Sequence, residues 1–336
     1  MKKTMAALQY EGPRQMILRQ TPVPVPQPDE VLIRVVYSGI CGSELSGYKG
    51  ESSIRRPPLI MGHEFSGAIE QIGGAVLRDD LAVGMHVTAN PLLSCTRCGY
   101  CLSGRQHLCP DRQLLSANLP GSNAAFVAIR ADAVSPIPPG VSLTTAALAE
   151  PTACAIHAAV LAAPAPDERG LVVGAGPIGL LVLQALMDRG LHQVFCIDLN
   201  QERLAMAEQL GATPTTFDRL ASDPVDLVVD AVGASTTRQG SAHTVRTGGR
   251  IVWIGLHEGD TTLPVNDFIR REISTYASYA YTPLDFHNAL NALAENRILL
   301  DAAWTRIEPL KNGASCFEDL LRGSAISKIW LTPSEV

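Results

Sequence analysis

The chain reads as an α/β protein in two parts: a β-rich region, then a doubly wound parallel sheet. Three observations carry that reading. Short alternating apolar runs bounded by Gly and Pro fill the first 145 or so positions, strand-like and helix-like segments then alternate to about residue 280, and a glycine-rich turn sits at one strand–helix junction. With 336 residues, 46% of them hydrophobic, the chain has the length and apolar content for about two domains.

In the first part, runs 31–36 and 124–129 carry the alternation and β-branched content of strands. The segment 21–28 has proline at alternate positions, cannot donate to a ladder, and is expected to be an extended surface segment. A helix-like run at 143–163 opens the second part. Strands are expected at 171–173, 193–197, 226–229, 250–254 and 273–278. Between them, Pro177 suits a first helical turn, Asn200 caps a helix over 201–210, and Gly190 and Gly211 stop helices. Thr282-Pro283 should start a helix reaching Asn296, and this zone ends on the apolar run Ile329-Trp330-Leu331. That tail is too short to fold alone, so the expected domains are 1–148 with 281–336, and 149–280.

Composition excludes some functions. A formal net charge of −6 with no basic run makes nucleic acid an unsuitable partner. The longest uncharged stretch, 171–187, is too short and too interrupted by Gly and Pro to span a bilayer, so no membrane association is expected. The opening residues are basic but lack the apolar core of a signal peptide, which points to a cytoplasmic address.

Cys95, Cys98, Cys101 and Cys109 occupy one short loop at spacings of two, two and seven residues. A pair of disulfides is the bland alternative, and a reducing compartment argues against it. Four thiolates so spaced can close a tetrahedron around Zn²⁺. Cys154, Cys196 and Cys316 lie in apolar surroundings and read as small buried hydrophobes.

The turn Gly174-Ala175-Gly176-Pro177-Ile178-Gly179 follows an expected strand and opens an expected helix, the context that raises a glycine triplet above coincidence. Gly174 would make the turn, Gly176 would let backbone approach a pyrophosphate, and Gly179 would let helix pack on sheet. Pro177 and Ile178 begin the helix whose N-terminal N–H groups face the phosphates. Asp198, at the end of the next strand, suits two ribose hydroxyls and repels a 2′-phosphate, which favours NAD over NADP. Arg203 either lies over the adenine side or is a plain helix residue.

Cys41, His63, Glu64 and Glu150 are scattered, and each has a bland reading as a buried thiol, a core histidine or a helix-face glutamate. A glutamate among alanines and leucines needs a partner if buried, and a cation is one solution. In order, residues 39–44, Gly62-His63-Glu64, the four-cysteine loop, Glu150-Pro151 and the nucleotide glycines resemble the zinc-dependent medium-chain dehydrogenase/reductase family over essentially the whole chain. Glu150-Pro151 is similar to the polyol branch, with sorbitol, threonine and galactitol-1-phosphate dehydrogenases.

The resemblance implies a GroES-like catalytic domain, a Rossmann domain, a site in the cleft between them, two zinc ions per chain, and a homodimer or homotetramer. It assigns Cys41 and His63 to the catalytic zinc, with Glu64 and Glu150 as the carboxylates around it, one ligating and one exchanging or acting through water. Ser43 matches the hydroxyl that passes the proton outward. Position 44 is Glu where the family usually has Asp, which is expected to shift His63 slightly, and position 46 is Ser where several members have His. Arg55-Arg56 reads as solvated loop charge, with a substrate phosphate as the alternative. The expected activity is NAD-dependent oxidation of a secondary hydroxyl of a polyol, sugar alcohol or polyol phosphate to a ketone. The alternatives are a threonine-dehydrogenase-like oxidation of a hydroxy amino acid, and a nucleotide-binding redox sensor without turnover.

Overall fold

The computed structural model describes residues 3–333. Two compact units divide the chain, one drawn from Met1–Glu150 and Asp301–Val336, the other from Pro151–Leu300.

The first unit is built on the strand Glu30–Gly39, whose alternate residues Val31, Ile33 and Val35 are fully buried with Phe65, Ile69, Val127 and Ile129. It pairs antiparallel with Glu64–Ile72, with Phe126–Arg130 and with Lys328–Thr332. At its far end, Gly39 is in register with both Glu64 and Trp330. Three strands distant in sequence therefore finish beside the turn that carries Cys41. A second apolar cluster joins Leu8, Tyr10, Tyr48, Phe317, Ile329 and Leu331, with the Tyr48 and Phe317 rings 5.2 Å apart. Each such fully buried side chain contributes about 1.5–3 kcal/mol, which ties the C-terminal strand to the N-terminal one. The segment after Thr21 leaves the sheet at Pro22, as its prolines require.

The second unit holds a six-stranded sheet in the spatial order Thr213–Pro214, Gln193–Ile197, Arg169–Val173, Val225–Asp230, Val245–Trp253, Ser274–Ala277, with every pairing parallel. The order reverses at Arg169–Val173, and loops leaving the carboxyl ends of strands at such a switch point form a crevice. The helix expected over 143–163 is two helices, Leu143–Ala146 and Ala149–Ala162. The helix Pro283–Ala294, expected with the first domain, belongs to this second unit, as does all of 281–300. Its reasons are long-range: His157 Nδ1 lies 2.9 Å from Asp285 Oδ2, and Gln184 Nε2 donates to the Leu299 carbonyl at 2.8 Å. Among the described residues, no helix is long and apolar enough to cross a membrane.

Candidate active site

The chain turns from the strand Glu30–Gly39 into the helix Gly42–Lys49 through Ile40 and Cys41. Glu44 stands in the first turn, and its Oε2 accepts from the Cys41 N–H at 3.4 Å. Its other oxygen accepts from the Gly62 N–H at 2.6 Å and from Ser116 Oγ at 2.5 Å, and lies 3.1 Å from His63 Nδ1. The extra methylene of Glu over Asp is thus absorbed within direct reach of the imidazole, and Nδ1 is the nitrogen engaged. Burial alone would raise the Glu44 carboxyl, but His63, Arg55 and Ser116 outweigh it and hold it at about 2.

One ligand atom each from Cys41, His63 and Glu64 lie within 4.8 Å of one another. Burial opposes charge on His63, yet Cys41 and Glu44 outweigh it and push the imidazole well above its usual range. Glu64 is fully buried, and its Oε1 has no hydrogen-bond partner, an orphaned carboxylate oxygen beside a thiol and an imidazole. This donor set fits Zn²⁺. Glu150 stands outside the group of mutually close atoms, buried in the first turn of Ala149–Ala162. Its charge nonetheless reaches Lys328.

Lys328 is the residue that sequence reading missed. Its Nζ donates to Glu64 Oε2 at 2.5 Å and to the Ile40 carbonyl at 3.3 Å. Burial would lower its pKa, but Glu64, Cys41 and Glu150 outweigh burial and raise it, so it stays an ammonium. A lone lysine inside the apolar strand Lys328–Thr332 was the available signal, since a buried ammonium requires a carboxylate. Ser116 offered no such signal. Arg55, expected as solvated charge, is buried and bonded to Ser43 and Ser116, whereas Arg56 is exposed. Ser43 Oγ donates to Cys41 Sγ at 3.4 Å. Ser46 is half-buried beyond it.

In the four-cysteine loop, Cys95 Sγ is 3.9 Å and Cys98 Sγ 3.5 Å from Cys101 Sγ, and all four sulfurs fall in one group. A tetrahedron with Zn–S bonds of about 2.3 Å has edges near 3.8 Å, so the spacing suits that ion, and all four cysteines are free thiols.

In the second unit, Gly174 has φ +94, and a Cβ on Gly179 would lie 1.7 Å from the Gly174 carbonyl oxygen. Both positions demand glycine. A Cβ on Gly176 would meet open space, the cradle into which a diphosphate fits at the start of helix Pro177–Asp188. Asp198 follows the strand Gln193–Ile197 and faces this turn: Oδ2 accepts from the Ala175 N–H at 2.6 Å and Oδ1 from the Asn200 N–H at 2.7 Å. Each oxygen keeps a lone pair for a ribose hydroxyl. Arg203 lies in the first turn of Gln201–Gln209, half-buried, its N–H donating to Asn200 Oδ1.

Residues 27–139 match the alcohol dehydrogenase GroES-like domain, and residues 177–295 match the zinc-binding dehydrogenase domain. The D-arabitol-phosphate dehydrogenase of Enterococcus avium is 32% identical over 97% of both chains. The D-xylulose reductase A of Aspergillus oryzae is 28% identical over 91% of both. Among solved structures, a protein from Sinorhizobium meliloti 1021, described as a zinc-binding dehydrogenase bound to NADP, superposes with a TM-score of 0.91 at 26% identity over 99% of this chain and 100% of that one. The acetophenone reductase of Geotrichum candidum NBRC 4597, in complex with NAD, superposes with a TM-score of 0.92 at 25% identity over 99% of this chain and 98% of that one.

Proposed function

The chain belongs to the zinc-binding alcohol dehydrogenases, and from that membership we propose that it oxidises a secondary hydroxyl of a polyol, sugar alcohol or polyol phosphate to a ketone, with NAD as hydride acceptor. The observation that carries the reading is the meeting of Cys41, His63 and Glu64 around an orphaned, buried carboxylate oxygen. Zinc held by these residues supplies Lewis acidity toward a hydroxyl, and the nicotinamide supplies the hydride acceptor.

The chain's own residues do the rest. Glu44 holds His63 by Nδ1, leaving Nε2 for the metal. Ser43 Oγ takes the proton from the substrate hydroxyl and releases its own to water. Lys328 compensates Glu64 while that carboxylate is buried. Glu150, a buried carboxylate near this group, suits a substrate with further hydroxyls, since it accepts hydrogen bonds that a hydrocarbon leaves unmade. The names of the Enterococcus and Aspergillus relatives support the same substrate class. Asp198 supports NAD, although one structural relative is described with NADP. The four cysteines of the loop would hold a second zinc, and such clustered thiols suit a reducing, cytoplasmic setting.

Among the described residues the strand Ser274–Ala277 pairs on one side only, and all four of its residues are exposed, which supports a homo-oligomer joined at that edge. Light scattering at micromolar concentration should give a dimer or tetramer mass. The activity itself is tested by following NADH production across polyols, polyol phosphates and hydroxy amino acids. Turnover confined to the amino acids would overturn the polyol reading, and none at all would overturn the enzyme.

A further inference from the structure

Arg55 is 5% exposed, yet the chain gives it no carboxylate within salt-bridge distance among the described residues. Instead its guanidinium is spent on hydroxyls and a carbonyl. Nη2 donates to Ser43 Oγ at 3.1 Å, Nη1 to the Ser43 carbonyl at 3.1 Å, and Nε to Ser116 Oγ at 3.4 Å. Ser116 Oγ donates in turn to Glu44 Oε1, and that oxygen also faces His63 Nδ1. One cation therefore joins the hydroxyl beside Cys41 to the carboxylate that orients His63.

Two further observations show that the fold is shaped around this cation. A Cβ on Gly47 would come within 2.6 Å of Arg55 Cδ, so glycine there leaves room for the arginine stem. Ser116 is fully buried at φ 71, a left-handed conformation unfavourable for a residue with a side chain. Such strain persists only where the surroundings impose it, and here it sets Oγ between Arg55 and Glu44.

We propose that Arg55 is a positioning residue for proton transfer, fixing the Ser43 hydroxyl directly and the Glu44–His63 pair through Ser116. Arginine donates and never accepts. With one Ser43 lone pair taken by Nη2, the Ser43 proton cannot point toward Arg55. It is aimed instead to the Cys41 side, where Ser43 Oγ meets Sγ at 3.4 Å. The same donor-only contact closes the Arg55 side as a proton exit, so a proton that Ser43 passes on turns away from Arg55 and leaves to water. This inference rests on the reading of Ser43 as the proton-passing hydroxyl.

The test is a double-mutant cycle on the zinc-loaded full chain, using the polyol that reduces NAD fastest in the panel. Arg55→Met should lower kcat about 10- to 100-fold, the scale for groups that orient metal ligands, with KM for NAD unchanged and a larger solvent deuterium isotope effect on kcat. In the Ser43→Ala background the same change should cost several-fold less than in the parent, because the hydroxyl it orients is gone and only the effect through Ser116 and Glu44 remains. Zinc at the Cys41 site, titrated against a chelator, should be held about tenfold more weakly in Arg55→Met, the effect carried by Ser116 and Glu44. Should Arg55→Met fail to fold, Arg55→Lys keeps the charge and the stem but cannot reach Ser43 and Ser116 together, and it should show the same pattern at smaller size. Equal losses in both backgrounds, or zinc held as tightly as in the parent, would overturn the proposal. A damaged Ser43→Ala with a silent Arg55→Met overturns the role of Arg55 alone, and a silent Ser43→Ala removes the Ser43 reading and the proposal with it.

Discussion

Lys328 Nζ donates to Glu64 Oε2 at 2.5 Å, and both side chains are almost wholly buried although 264 positions separate them. Removing one partner of such a pair leaves a charge in a poorly solvated place, which costs about 3–5 kcal/mol. Lys328→Met should therefore lower stability by roughly that amount, and adding Glu64→Gln should recover part of it. Urea unfolding midpoints decide the matter. A loss below about 1 kcal/mol in the single variant would mean that Glu64 finds another partner.

The two ligand groups should part on metal content. Elemental analysis of the parent should give two zinc ions per chain, and Cys109→Ser should give about one, with a lower melting temperature because the loop loses its cross-link. Cys41→Ser should stay folded with turnover reduced more than about a hundredfold, the scale of losing a metal ligand or its support. One zinc or none in carefully purified parent protein would sink the assignment of two sites.

Asp198, proposed here to set the choice of cofactor, also holds the glycine turn. Since it also holds the Ala175 N–H at 2.6 Å, Asp198→Gly should loosen the glycine turn as well as remove the ribose acceptor. Binding of NAD should fall roughly ten- to hundredfold, matching about 1–3 kcal/mol for hydrogen bonds to a charged group. Leu199 is 99% exposed, so adding Leu199→Arg should leave stability alone and strengthen NADP. The ratio of kcat/KM for the two cofactors is the measurement, and a parent that prefers NADP would show that Asp198 does not face the ribose.

Acid should weaken the second unit through Glu168. Arg250 donates to both its oxygens, at 2.8 and 2.5 Å, and these bonds hold the carboxyl below its ordinary value of 4.5 against the opposing effect of burial. A depressed folded pKa adds stability that is present above 4.5 and is lost as pH falls through the folded value. Glu168→Gln should cost about 1.5–3 kcal/mol at neutral pH, the range for hydrogen bonds to a charged group, and should flatten the stability profile below pH 4.5. Unfolding curves at pH 7 and in steps below that value give the comparison, and parallel profiles for parent and variant would rule out the linkage.

Local pattern made much of this protein legible from its residues alone. The strand at 193–197 and the helix starting at Gln201 have the bounds their alternation and the Asn200 cap dictate. The strand before Gly174 and the helix opening at Pro177 follow from a turn that only glycine and an N1 proline suit. The strand Val245–Trp253 starts five residues before the expected 250, because its Arg-Thr-Gly-Gly opening has no apolar alternation to announce it. The four-cysteine loop was equally readable, since its ligands lie within fifteen positions of one another.

What depended on distant partners had to wait for the tertiary structure. Nothing near Arg55 in sequence tells that it turns inward, because its acceptors are Ser43, twelve residues back, and Ser116, sixty-one ahead. Lys328 could be seen as an odd lysine in an apolar strand, but only the pairing of that strand with Glu30–Gly39, and of the latter with Glu64–Ile72, brings it to Glu64. Residues 281–300 joined the second unit for a like reason, as Asp285 found His157 and Leu299 found Gln184 across more than a hundred positions. The sequence by itself determined the α/β class, the glycine turn and the thiol cage, because periodicity, capping and ligand spacing act over a few residues. Tertiary structure decided which charges are buried and what compensates them, since the free energy of a buried charge is set by neighbours that the fold, and not the chain order, brings within reach.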